Sequence, residues 1–218
     1  MLSKEQQKMI IDRTRGFVED YLLNTEIDWN SKEIGHKHGE AIESHIVENF
    51  SKMKGFDEPM ASREFGDLYF THPVFDQGRD ALNIKFGYQK DGKPNLCALN
   101  RLIRAVTGRN PRYPDKFHET FDSYWILSVN LLDKNRNFEI HLFDVYQNLD
   151  LVAFDAGPGQ LMINETMLYK NGYQIINNGG TDMNLLKSKL FKMLEKGHQS
   201  KIEHLQTIKE NAKEFLQV

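Results

Sequence analysis

The chain holds 218 residues and a single cysteine, Cys97. No disulfide can form within it, so a reducing, cytoplasmic setting is the expectation. No apolar run approaches the ~18 residues that a membrane helix needs. The first residues, Met1 to Gln7, are polar and unlike a signal peptide. Repeats, low-complexity tracts, a P-loop and a dinucleotide fingerprint are all missing, and Gly157-x-Gly159 is too short to stand for one. There is no basic excess either: the net charge is −3, which counts mildly against a nonspecific nucleic-acid binder. Distribution matters more than the sum, however. His36, His38 and His45 lack the further ligands that a zinc site requires, so they are expected to be satisfied packing residues. With 39% apolar and 27% charged residues, the composition predicts one soluble globular domain, 1–218, with no membrane partner.

The stretch around which the rest is arranged is Gly66-Asp67-Leu68-Tyr69-Phe70, followed by Asp80-Ala81-Leu82-Asn83-Ile84-Lys85-Phe86. Both runs have strand character, and His72-Pro73 and Gln77-Gly78 between them supply turn chemistry. A hairpin is expected. Asn83 and Lys85 are two apart and share a face, which Asp67 can reach. A carboxylate, an amide oxygen and a lysine then converge. That trio suits metal-assisted attack on phosphate. Asp67 is a hard ligand for Mg²⁺, and the Ile84 carbonyl and the Asn83 oxygen complete part of the shell. Lys85 orients the attacking water and offsets developing charge.

Asn30-Ser31 is a plausible cap for a helix running to about Met53, with Ile34, His38, Ala41, Ile42, His45, Ile46, Phe50 and Met53 as its apolar stripe. Glu43 falls at the edge of that stripe and Glu40 opposite it. A glutamate at the rim of a buried face overlooks a cleft.

The Asp67…Asn83-Ile84-Lys85 pattern resembles the PD-(D/E)xK nuclease family, which includes most type II restriction endonucleases. Gly39-Glu40-Ala41-Ile42-Glu43 is similar to the Gly-x-x-apolar-Glu element on the first core helix of many members, and it precedes the Asp strand as in the family. The pattern departs at Asn83, where a carboxylate is usual, although some restriction enzymes carry Asn or Gln there. The resemblance covers roughly residues 33–145. It implies an α/β, restriction-endonuclease-like fold, in which a mixed sheet is flanked by helices. It further implies Mg²⁺-dependent hydrolysis of double-stranded DNA, with Glu43 as third acidic partner. By size the chain resembles enzymes that act as homodimers on palindromic sites. A repair or nicking nuclease of the same fold, and a catalytically silent DNA-binding module, remain open beside this.

Elsewhere the pattern predicts helices at 4–23, 95–107, 182–196 and 199–217, the last two parted by Gly197 and serving packing or dimerisation. Strands are expected at 124–131 and 138–145, making four in one sheet with the hairpin. Arg101, Arg104, Arg109, Arg112 and Lys116, with the lone acid Asp115, make the most basic stretch and the expected DNA contact. Gln160, Asn164, Asn177 and Asn178 sit in expected loops and suit base edges.

Overall fold

A computed structural model describes residues 2–27, 34–57, 66–71, 79–88, 95–155, 160–163 and 182–216. The fold is mixed α/β. Its elements begin with α1 (Lys4–Asn24), α2 (Ile34–Ser51), β1 (Phe56–Asp57), β2 (Leu68–Thr71), β3 (Arg79–Tyr88) and β4 (Asn95–Ala98). There follow α3 (Leu99–Thr107), β5 (Arg109–Asn110), β6 (Tyr113–Phe117), β7 (Ser123–Leu131) and β8 (Phe138–Asp144). A short 3-10 turn, β9 (Val152–Asp155), β10 (Gln160–Ile163) and the long α4 (Met183–Leu216) complete the chain.

The main sheet has five strands in the order β1-β2-β3-β7-β8. All its pairs are antiparallel except β3 with β7, which is parallel. A parallel pair needs a crossover connection, and the segment holding α3 supplies it. β7 is buried along its whole length, as its nearly continuous apolar sequence demands for a central strand covered on both sides.

Alternation along the strands sends side chains to two cores. On one face Leu82, Ile84, Trp125, Leu127 and Leu142 pack under α1 and α2, against Ile10, Val18, Ile42, Ile46 and Phe50. On the other, Ala81, Tyr124, Ile126 and Phe143 pack under α3 and α4, against Leu102, Ala105, Leu186 and Leu190. Each such aliphatic side chain stabilises the fold by about 1.5–3 kcal/mol of transfer free energy. α1 begins in a capping box: Gln6 N–H donates to Ser3 Oγ, and Ser3 N–H donates to Gln6 Oε1.

The helix expected at 95–107 is in fact a strand followed by a helix. Asn95–Ala98 pairs with β10, whose Gln160 lies opposite Ala98. That partner is distant in sequence, and local periodicity cannot register it. The two helices expected at 182–217 are one. Gly197 lies inside α4, where a Cβ would come within 3.1 Å of the Phe154 ring. The glycine there serves close packing against β9, not a helix break. The sheet has five strands where four were expected, because Phe56–Asp57 adds an edge to β2. Ala41, expected within the buried stripe of α2, is exposed, whereas Ile42, Ile46 and Phe50 are buried. Among the described residues no helix is long and apolar enough to cross a membrane.

Candidate active site

The site is created by a mismatch in strand length. β2 has four residues and β3 has ten. They pair from Thr71↔Arg79 to Leu68↔Leu82, so β3 runs on past the point where β2 begins. β7 accompanies β3 on its other edge as far as Tyr88. Alternate residues of a strand turn their N–H and C=O to opposite neighbours. Leu82, Ile84 and Phe86 therefore face the β2 edge. The Leu82 carbonyl still accepts the Asp67 N–H, at 2.9 Å. Beyond it, two carboxylates bond the edge amides that a continuation of β2 would otherwise meet. Ile84 N–H donates to Asp67 Oδ2 at 2.7 Å, and Phe86 N–H donates to Glu43 Oε1 at 3.1 Å.

α2 delivers Glu43 because Ile42, Ile46 and Phe50 bury its neighbouring face. Gly39 packs beside the Phe86 ring, at 3.5 Å from where its Cβ would be. Burial pushes the Glu43 carboxyl above its usual range. The Lys85 ammonium opposes that shift, the Asp67 charge adds to it, the Phe86 N–H opposes it and Glu40 adds to it. Glu43, Asp67 and Lys85 thus lie within electrostatic reach of one another. Lys85 also acts on Cys97, as does Arg101, which puts the first turns of α3 on the Lys85 side.

Asn83 is buried and has a bracing task. Its Oδ1 accepts the Asp67 N–H at 3.1 Å, and its Nδ2 donates to the Tyr124 hydroxyl at 2.9 Å. Tyr124, fully enclosed, is itself hydrogen-bonded to the Cys97 thiol. Burial pushes that thiol up to about 12, so Cys97 is an inert packing group. Tyr124 escaped the sequence reading because nothing local distinguishes it from its apolar neighbours in β7.

Among the described residues, no three His, Cys, Asp or Glu side chains gather as a preformed metal cage. The donor set nevertheless fits Mg²⁺, which is held by one or two carboxylates, waters and substrate phosphate instead of an all-protein cage. Asp67, the Ile84 carbonyl and Glu43 would hold it. Each carboxylate gives one oxygen to a backbone amide and keeps the other. Asn83 gives its oxygen to the Asp67 amide, so its part is to fix Asp67 more than to ligate.

The basic stretch divides in two. Arg101 and Arg104 are half-buried on α3, and Arg109, Arg112 and Lys116 are exposed on the β5–β6 hairpin. Gln160, expected in a loop, instead opens β10 and pairs between Ala98 and Asp155. Asn164, Asn177 and Asn178 lie outside the described residues. The histidines do serve packing: His38 Nδ1 meets the Tyr21 hydroxyl at 3.3 Å, and His45 Nε2 lies 3.4 Å from Asp20. His36 lies in α2, but its side chain is outside the described set.

No protein-family model matches the chain, and no curated protein is detectably similar to it.

Proposed function

We propose that the chain is a Mg²⁺-dependent endonuclease of restriction-endonuclease-like fold that hydrolyses phosphodiester bonds in double-stranded DNA, most simply as a type II restriction enzyme. One observation carries this reading. Two carboxylates from separate elements, Asp67 and Glu43, cap successive edge amides of β3, at Ile84 and Phe86, with Lys85 between them on the same strand. The sequence order of helix Glu, strand Asp and Asn-Ile-Lys agrees with it.

In this mechanism Asp67, the Ile84 carbonyl and Glu43 would hold the ion, which would supply Lewis-acid assistance and charge neutralisation when bound. Asn83 fixes the Asp67 backbone. Lys85 orients a water for in-line attack on phosphorus and offsets the negative charge that grows there. The new P–O bond forms as the bond to the leaving sugar oxygen breaks. Arg101 and Arg104 flank the path of the backbone as phosphate contacts. Ile202, Leu205 and Ile208 are exposed on α4 and offer an apolar stripe to a second copy, which would match a two-fold target.

The test is incubation with phage DNA and Mg²⁺, resolved on a gel. Discrete fragments are expected from the wild type. Lys85→Ala and Asp67→Asn are expected to abolish cleavage with an unchanged circular dichroism spectrum. The Asn variant retains an acceptor for the Ile84 N–H, so its loss reports charge and not folding. Normal cutting by either variant sinks the assignment, and metal-independent binding without any cleavage would favour a silent module.

A second reading, a repair or nicking nuclease, is favoured by the exposed Tyr113 and Phe117 on the β5–β6 hairpin. Nicks or cuts at branches, in place of discrete fragments, would select it.

A further inference from the structure

The β5–β6 hairpin is an arm. It leaves the body at Gly108, whose φ of 69° closes α3 and whose missing Cβ admits the His118 carbonyl at 3.0 Å. His118 N–H returns to the Gly108 carbonyl at 2.8 Å. The Thr107 hydroxyl donates to the Ile103 carbonyl at 2.7 Å and accepts the Arg109 N–H at 3.2 Å. At the tip, Arg112 N–H donates to Asn110 Oδ1 at 3.0 Å, the side-chain turn that asparagine favours. The base is therefore anchored and the tip shaped.

What the arm presents is unusual for a surface. Phe117 is 73% exposed and Tyr113 is 53% exposed. A cation accompanies each ring: the Arg109 guanidinium lies 4.7 Å from the centre of Phe117, and Lys116 Nζ lies 5.3 Å from the centre of Tyr113. Arg109 and Phe117 are direct cross-strand partners, so the pairing is built into the register. Tyr113 and Phe117 both belong to β6 and lie opposite adjacent residues of β5, Asn110 and Arg109, across an irregularity in the register. Asp115 is the one carboxylate between them. Arg109, Arg112 and Lys116 outweigh it, and Arg101 and Arg104 continue the positive charge along α3 towards Lys85.

Exposed rings with cations at their sides are poor readers of an intact duplex edge, where donors and acceptors carry the information. They suit a strand whose bases are unstacked: the ring takes a base face, and the cation takes the phosphate or strengthens the stack. We propose that the β5–β6 hairpin binds unpaired DNA, with Tyr113 and Phe117 as base-stacking surfaces and Arg109, Arg112 and Lys116 as backbone contacts. This rests on the second reading above, a repair or nicking nuclease, and not on the restriction-enzyme reading, which would require preference for an intact duplex. It adds that the substrate presents single-stranded nucleotides beside the scissile bond.

The experiment is fluorescence anisotropy in EDTA, so that binding is read without cleavage. The probes are a mixed-sequence single-stranded oligonucleotide and its duplex. The wild type is expected to prefer the single strand. Tyr113→Ala with Phe117→Ala is expected to weaken single-strand binding at least roughly tenfold, with little effect on the duplex. Phe117→Trp, which keeps a ring, is expected to retain binding. Arg112→Ala with Lys116→Ala is expected to flatten the salt dependence, whereas the ring variants leave it unchanged. Wild-type single-strand affinity in the double ring variant overturns the proposal, as does a preference for the duplex or no binding of either probe at low salt. Ring-dependent binding with no cutting in Mg²⁺ keeps the arm and removes the nuclease. Mg²⁺-dependent cutting with ring-independent binding does the reverse.

Discussion

The Asn83 amide nitrogen donates to the Tyr124 hydroxyl at 2.9 Å inside the core, while the oxygen of the same amide accepts the Asp67 backbone N–H at 3.1 Å. One side chain thereby ties the candidate metal-binding aspartate to the central strand β7. It also gives the neutral residue at position 83 a structural task. The amide satisfies a donor on one side and an acceptor on the other, which an apolar residue could not do.

Asn83→Asp is expected to fold, since a carboxylate oxygen still accepts the Asp67 N–H and the Tyr124 hydroxyl can rotate to donate to the other. A third negative charge at the edge of β3 is expected to lower the Mg²⁺ concentration for half-maximal cleavage by roughly tenfold. A Mg²⁺ titration of cleavage checks this. Asn83→Leu is expected to cost about 0.5–1.5 kcal/mol in denaturant unfolding, because it removes the buried bond to the Tyr124 hydroxyl and one of the two acceptors of the Asp67 N–H.

Glu43 gives a pH-dependent outcome. Its carboxyl is raised above the usual range, with burial as the main cause and the Asp67 charge as a further one. The folded protein thus holds this proton more tightly than the unfolded chain does. Its stabilising contribution is complete below the ordinary carboxylate pKa and is lost as pH rises through the raised value. In metal-free buffer, Glu43→Gln is expected to melt higher than the wild type at neutral pH. The difference should vanish at pH below about 4. Melting temperatures of both proteins across that range decide it, and a gap that widens on acidification would contradict the assignment. Cleavage by the variant is expected to fall at all pH values.

Gly197 separates helix propensity from packing. Alanine in mid-helix normally gains about 1 kcal/mol over glycine. Here the added Cβ would sit 3.1–3.2 Å from three atoms of the Phe154 ring. Gly197→Ala is expected to destabilise by about 1 kcal/mol or more through that crowding. In the Phe154→Ala background the same change is expected to stabilise. A double-mutant cycle by urea unfolding reads the change of sign.

Cys97 is expected to resist thiol reagents in the native state. Burial pushes its thiol up to about 12, and only the thiolate reacts quickly. Alkylation at pH 8 should therefore wait for denaturant. Fast labelling of the folded protein would show that the space beneath α3 opens in solution.

Much of the fold was legible in local pattern. Alternation and apolar runs identified β2, β3, β7 and β8, and helical spacing identified α1 and α2. The Asp67 and Asn83-Ile84-Lys85 pair and the rim position of Glu43 were legible in the same way. What was not legible depended on distant partners. Asn95–Ala98 is a strand because β10 lies beside it, and Gly197 stays helical because Phe154 needs its missing Cβ. Tyr113 and Phe117 left a faint signal, as aromatics interleaved with cations. Nothing local said that both rings would stand on a hairpin in solvent.

The sequence by itself determined which residue types were available for chemistry and on which face of each helix or strand they would fall, because side-chain periodicity is a property of the local backbone. Only the tertiary structure decided that β3 outruns β2, that Asp67 and Glu43 would take the vacant amides of Ile84 and Phe86, and that Asn83 would be held by Tyr124. Those outcomes follow from strand lengths, register and the packing of α2 across the sheet, none of which is a property of any one segment.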